Sequence, residues 1–175
     1  TIDIGGTTLT TAGSFDIYLA KYDAQQNLIW VQQVGSSDGE FEPHLTVDHE
    51  DNIYLIGNFR GSLTLGSMTI TPRFSEDVFL AKYNSAGTPE WVKQTNFSNA
   101  ETNGDVVVDG QGNVYFTGYF QGIATFGTST LSTNDGINAS ESFLLKCSSD
   151  GTWQWGVQTS NSNGNTRSYD IAIRA

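Results

Sequence analysis

Apolar residues two positions apart mark three places along this chain: Leu45 and Val47, Val106 and Val108, and Ile171 and Ile173. That spacing suits a strand with one buried face, because successive side chains point to opposite sides of a sheet. Turn formers follow the first two pairs, Asp51-Asn52 in one case and Gly110-Gln111-Gly112-Asn113 in the other. Asn and Gly tolerate the positive φ of tight hairpin turns, so each pair predicts a second antiparallel strand, Ile53 to Gly57 and Val114 to Gly118. The run Leu63 to Ile70 centres on Gly66-Ser67 and predicts a short added hairpin. A third strand is expected at Asp77 to Tyr83, a turn at Asn84 to Gly87, and a fourth strand around Trp91 to Gln94. No window carries helical periodicity, and Gly, Ser, Thr and Asn are too frequent to sustain one.

The pattern then repeats, with a period of about 61 residues. Gly5, Gly66 and Gly127 keep that interval, as do Leu9, Ile70 and Leu131. Trp30, Trp91 and Trp155 each follow a repeated lysine (Lys21, Lys82, Lys146) at the same distance. The last copy is slightly longer, and the extra residues fall in the polar stretch Ser132 to Ser140, a loop insertion. Each unit is thus four antiparallel strands plus a hairpin. One such sheet cannot bury both faces alone, so units must stack, and radial stacking of four-stranded blades makes a β-propeller. The expected fold is all-β, with about three blades' worth of sequence in a single array. Residues 1–35 form a partial blade, 36–96 and 97–160 full repeats, and 161–175 the start of the next blade, with its first strand at Ser168 to Arg174. Closed propellers use about four to eight blades. The chain therefore reads as part of a larger ring, its ends lying inside blades and needing other blades or chains to complete it.

Charge and composition narrow the partners. A formal net charge of −11, from 19 acidic and 8 basic residues, argues against nucleic acid, since phosphate binding needs a basic footprint. No apolar stretch is long enough for a transmembrane helix. The single cysteine, Cys147, stands where Tyr22 and Tyr83 stand in the other copies and reads as a strand residue, not a reactive thiol. His44 and His49 are too few for a histidine-based zinc site.

Several constellations invite a chemical reading, and each has a simpler one beside it. The acidic turn Asp48-His49-Glu50-Asp51-Asn52 could offer oxygen ligands to Ca²⁺, with Asp48, Asp51 and Asn52 as the candidates. It lacks the alternating ladder of a calcium loop, and the parallel turn keeps only Asp109 and Asn113, so a hairpin turn explains it better and no cofactor is expected. The repeated acid and lysine (Asp16 with Lys21, Asp77 with Lys82, Glu141 with Lys146) lie five apart on a strand, so they face opposite ways. Pairing between strands or blades is the better account of them. Three tryptophans recur in phase and read as blade core. Trp153 has no counterpart, because Leu28 and Pro89 stand there in the other copies, and it is the aromatic with a claim to a ligand-binding role at the surface. There is no nucleophile elbow, and no pair among the 19 acids is singled out for glycoside hydrolysis. No catalytic residue is assigned.

The run Val-Asp-x-x-Gly-Asn-Val-Tyr-x-Thr-Gly-x-Phe at Val108 to Phe120, with the later Asp77 to Trp91, resembles the bacterial SBBP-type beta-propeller repeat. The first copy departs from it at His49-Glu50-Asp51 and at Gln26, which replaces Gly87 and Gly151, and the last at Arg174. The resemblance implies a bacterial protein that is secreted or exposed at the cell surface. The function expected is a non-enzymatic scaffold for protein interaction or adhesion. Its ligand, protein or glycan, would be met by the copy-variable stretches Ser36 to Pro43, Phe97 to Asn103, Asn134 to Ser140 and Ser160 to Arg167. The alternatives are a propeller that binds or cleaves carbohydrate, and a structural subunit that assembles through open blade faces.

Overall fold

A computed structural model of the chain describes residues 1–99, 101–133, 139–159 and 165–174. All its regular elements are strands, paired antiparallel in small sheets. The first hairpin is β1 (Ile2–Ile4) with β2 (Thr7–Leu9), followed by the pair β3 (Ile17–Tyr22) and β4 (Leu28–Val34). A complete blade comes next: β5 (Glu40–Val47), β6 (Ile53–Phe59), β9 (Asp77–Tyr83) and β10 (Pro89–Gln94), in the order β10-β9-β6-β5. Its hairpin, β7 (Leu63–Leu65) and β8 (Met68–Ile70), is inserted between the second and third strands. The next blade repeats the plan with β11 (Glu101–Val108), β12 (Val114–Phe120), β15 (Glu141–Cys147) and β16 (Trp153–Gln158). Its hairpin is β13 (Ile123–Phe126) with β14 (Ser129–Ser132). The expected unit of four antiparallel strands and a hairpin is the observed one, in propeller-like blades.

Two local expectations are corrected. The copy-variable stretches 36–43 and 97–103, expected to be loops that meet a ligand, run into strands β5 and β11, whose ladders begin at Glu40↔Phe59 and Glu101↔Phe120. Ser168 to Arg174 forms no strand. It passes β11 closely enough that a Cβ on Gly104 would sit 2.6 Å from the Ser168 carbonyl oxygen, yet among the described residues it has no second strand of its own blade to pair with. A first strand without its ladder has nowhere to place its backbone hydrogen bonds except water and side chains.

The middle blade explains why the units stack. Every residue of β6 is buried, because both faces of that sheet are covered. Leu55, Phe79, Ala81 and Tyr83 pack with Ile17, Leu19 and Val34 of the preceding sheet. Tyr54, Ile56, Val78 and Leu80 pack with Val106, Val114, Phe116 and Cys147 of the following one. Fully burying each such side chain stabilises by about 1.5–3 kcal/mol, so neither interface is dispensable.

A tryptophan fixes each blade to the next. The Trp30 indole N–H donates to the Ser85 carbonyl at 3.3 Å, and that of Trp91 to the Ser149 carbonyl at 3.0 Å. Each indole lies flat on a glycine of the turn that it reaches. A Cβ on Gly87 would come within 2.9 Å of Trp30, and one on Gly151 within 3.0 Å of the Trp91 ring. Both glycines also hold positive φ, 80° and 77°. Gln26 occupies the equivalent position with φ 68°. A glycine is therefore required twice over at 87 and 151, for conformation and for space.

Gly151→Ala is expected to destabilise the chain by about 2–4 kcal/mol, combining left-handed strain with the clash against Trp91. Trp91→Phe should cost about 1 kcal/mol from the lost hydrogen bond alone. Gln26→Gly, where no indole presses on the turn among the described residues, should be neutral or stabilising by up to about 1 kcal/mol. Urea unfolding followed by tryptophan emission checks all three.

Candidate functional site

The first strands of successive blades, β5 and β11, lie side by side, with the segment 165–174 running next to β11. Both strands carry a β-bulge, between Phe41 and His44 and, one residue further along the repeat, between Asn103 and Val106. A bulge adds a residue to one strand and re-aims the side chains around it. Here it opens a cleft of about 450 Å³ whose walls include Glu42, His44, Asn103, Tyr119, Arg167 and Tyr169. Glu42 sits at the bulge with φ 55°, and its carbonyl accepts the Asn103 side-chain amide at 2.8 Å. The Asn103 backbone N–H donates in turn to Asn58 at 3.3 Å, tying the cleft floor to β6. His44 Nδ1 lies 3.7 Å from the Asp105 carboxylate, the two occupying the same repeat position in neighbouring copies. The Arg167 guanidinium lies over the Tyr119 ring at 4.8 Å, and Tyr169 beside it is 64 % exposed. The cleft thus combines a fixed floor, charges of both signs and open aromatic surface. Tyr and Arg are the side chains most often responsible for protein–protein affinity.

Of the copy-variable stretches predicted to carry recognition, three contribute to this cleft: Glu42 from the first, Thr102 and Asn103 from the second, and Arg167 from the fourth. Asn134 to Asn138 of the third lie outside the described residues, as do 160–164 of the fourth.

The repeated acids meet glutamines, not lysines. Gln33, Gln94 and Gln158 on the fourth strands donate to Asp16, just before β3, and to Asp77 and Glu141, which open β9 and β15, the middle pair at 3.0 Å. These glutamines recur in phase, so the sequence held this signal beside the more conspicuous lysines. The lysines go elsewhere: Lys21 to Asp51 at 3.3 Å, Lys82 to Glu90 at 2.9 Å, and Lys146 over the Tyr115 ring. The acid and lysine of one copy do face apart, and the contacts they make run between strands and blades.

A second set of repeated acids, Glu40 and Glu101, is buried at the blade junctions. Glu101 accepts the backbone N–H groups of Val78 at 3.0 Å and Phe97 at 3.1 Å, and the Thr95 hydroxyl. Burial pushes its carboxyl up to about 8, against the pull of those donors, and the nearby Asp77 charge adds to the rise. Asp77 is raised by burial as well, and one of its oxygens is buried without a partner. A proton held between these two carboxyls would supply that oxygen with a donor. At the next junction Thr166 replaces the glutamate and accepts the N–H of Ser142 at 2.8 Å, as Glu101 accepts that of Val78.

The Asp48 turn is held together by its own donors. One Asp48 oxygen accepts the N–H groups of Glu50 and Asn52, both at 2.9 Å; the other accepts the Asn52 amide at 2.9 Å and the Tyr54 hydroxyl at 3.2 Å. These hydrogen bonds hold its carboxyl below the usual range, although partial burial works against them. Asp109 takes the same four kinds of donor in a turn with no other acid. Asp51 turns to Lys21. Among the described residues, no three His, Cys, Asp or Glu side chains converge as a metal site would require. Trp153 rests its ring against Phe126 at 5.2 Å and Phe116 at 5.7 Å, and its remaining surface lines a cleft with Arg73, Asn96 and Ile123. Cys147 lies in β15, where burial pushes its thiol up to about 12.

No family model matches the chain. It is 28 % identical over 148 residues to a WD repeat-containing protein of Acanthamoeba polyphaga mimivirus, itself described as uncharacterized. The match covers 77 % of this chain and 10 % of that protein, so the chain spans about a tenth of the relative's length. This overturns the resemblance to the bacterial SBBP-type repeat, and with it the bacterial source and the secreted or cell-surface location. The cause is physical. The residues that carried the resemblance (the Asp/Asn turn, the glycine under an indole, the paired aromatics) are those that any such blade needs, so they report blade construction rather than lineage. Similarity to a WD repeat-containing protein accords with a non-enzymatic scaffold. Among the described residues, no helix is long and apolar enough to cross a membrane.

Because Glu101 holds its proton more tightly when folded, its contribution to stability changes sign-definitely with pH. Below about 4.5 both states are protonated and there is no penalty; as pH rises toward about 8 the unfolded chain releases the proton first and stability falls. The slope in that window should reach up to about 1.4 kcal/mol per pH unit. Denaturant unfolding measured from pH 5 to 8.5 should show this decline, and Glu101→Gln should flatten it. The carboxyls of Asp48 and Asp109, held low, act in the opposite sense only at more acidic pH.

Proposed function

We propose that this chain is a stretch of a β-propeller interaction scaffold, organised as a partial blade at 1–35, repeats at 36–96 and 97–160, and the beginning of a further blade at 161–175. Its recognition surface is the cleft at the first-strand edges, and its ligand is a protein segment. The observation that carries this reading is the composition of the cleft. Key residues of the frame recur (Glu40 with Glu101, Tyr54 with Tyr115, Phe59 with Phe120), whereas the cleft's own positions differ between copies: Glu42 against Asn103, Pro43 against Gly104, His44 against Asp105. Selection for recognition can vary such positions without disturbing the blade interfaces. Exposed Arg167 and Tyr169 beside half-buried Tyr119, next to mixed charges, suit an extended peptide, whose amides the polar rim can satisfy while the rings cover its side chains. The similarity to a viral WD repeat-containing protein supports a scaffold class.

The test is a displayed random-peptide library selected on the folded chain. Selected peptides should lose at least tenfold in affinity against Arg167→Ala and against Tyr169→Ala, with the unfolding midpoint unchanged because both side chains are exposed. Peptides that bind both variants as tightly as the parent chain would remove the cleft from the proposal.

A further inference from the structure

The groove between β3 and β5 differs from every other blade junction. β9 pairs on one side with β10 and on the other with β6, in register from Ile53↔Tyr83 to Phe59↔Asp77. β15 likewise lies between β16 and β12. β3 is the same repeated strand, yet among the described residues it has a ladder only with β4. Its other edge carries unpaired backbone groups beside an apolar slot of about 240 Å³, lined by Leu19, Tyr22, Trp30, Leu45, Val47 and Ile53.

Residues at equivalent repeat positions show what is missing. Tyr22 is 50 % exposed, whereas Tyr83 is 2 % and Cys147 is fully buried; Leu45 is 51 % exposed, whereas Val106 is 2 %. Trp91 has Tyr54 against it at 6.2 Å and Trp155 has Tyr115 at 6.1 Å, but no such tyrosine reaches Trp30 among the described residues. Lys82 and Lys146 lie over those same tyrosines at 5.8 and 5.2 Å. Lys21, which matches them, reaches the Ser85 carbonyl and Asp51 instead.

We propose that this groove is a docking site for a β-hairpin of the chain's own repeat type, a further copy of the β5–β6 or β11–β12 pair. The hairpin's second strand adds antiparallel to β3. Its first apolar residue lies opposite Tyr22, the tyrosine after it opposite Lys21 and against Trp30, and its terminal phenylalanine near Asp16. The hairpin's first strand then lies beside β5, as β5 lies beside β11, and its second strand brings the counterparts of Tyr54 and Ile56 over Leu45, as those two pack with Val106. A second folded chain would bring blades whose own hairpins are already paired, and could reach only the β3 edge. This inference concerns a different surface from the peptide cleft and stands or falls apart from it.

Two experiments decide it. In the first, a synthetic peptide of residues 101–120 is added to the ¹⁵N-labelled chain. The β3 amides pointing away from β4 should exchange at least tenfold more slowly, and Leu45→Glu, an exposed position, should abolish that protection while leaving the fold intact. A scrambled peptide that protects equally would overturn the proposal, as would protection that appears without peptide and grows with chain concentration, the signature of edge-to-edge pairing between copies. In the second, residues 101–122 are fused directly before Thr1, which keeps the repeat in phase because Ile123, the residue after Gly122, matches Thr1. The fused chain should melt at a higher temperature, and Tyr22 should become shielded from iodide quenching. An unchanged midpoint with Tyr22 still quenched, together with β3 amides exchanging as before, would refute docking even if the free peptide failed only because it did not fold. Binding of selected peptides at Arg167 would be unaffected by either result.

Discussion

The structure depends on one constraint: a four-stranded blade of this sequence is apolar on both faces, so each blade is stable only between two neighbours. β6 makes the point most directly, being buried along its whole length although its residues alternate between two separate cores. The tryptophan that bridges to the next blade turns this general need into a defined geometry. Its indole covers a glycine, donates to a carbonyl one turn away, and so sets both the spacing and the angle at which the next sheet can lie. A blade held this way can vary its exposed first strand while the interface stays intact.

The same junctions carry the chain's least expected electrostatics. A protein with net charge −11 would be expected to keep its carboxylates in water, yet Glu40, Asp77, Glu101 and Glu141 are buried where blades meet. Glu40 and Glu101 accept backbone N–H groups at the passage from one blade to the next, and glutamines of the fourth strands donate to Asp77 and Glu141. Burial of the Asp77–Glu101 pair raises both carboxyls, so one proton is retained where two charges would repel. The third junction does the equivalent work with a threonine hydroxyl and no charge, which shows that the hydrogen bond, not the ionisation, is what the position requires.

Much of this was legible in the residues themselves. The hairpin turns at Gly66-Ser67 and Gly110 to Asn113, the third strand at Asp77 to Tyr83 and the core role of Trp30 and Trp91 all follow from period and spacing. The strand expected at Ser168 to Arg174 did not form, because alternation identifies a strand only where a partner edge exists. The glutamines and the buried glutamates were in phase and visible, but a repeated polar residue reads equally as surface until its neighbour across the sheet is known. The family resemblance failed for a related reason: residues demanded by blade geometry recur in chains of different origin, and here the similar protein is viral.

By itself the sequence determined the repeat, the all-β class, the order of strands within a blade and which residues are common to all copies, since these depend on local turn chemistry and on the period of two along a strand. Only the tertiary structure decided which differing residues come together. Glu42, Asn103 and Arg167 belong to three copies and meet because β5, β11 and the segment after β16 run side by side. It also decided that Tyr22 lies open where Tyr83 is closed, because burial belongs to the neighbouring strand and not to the residue.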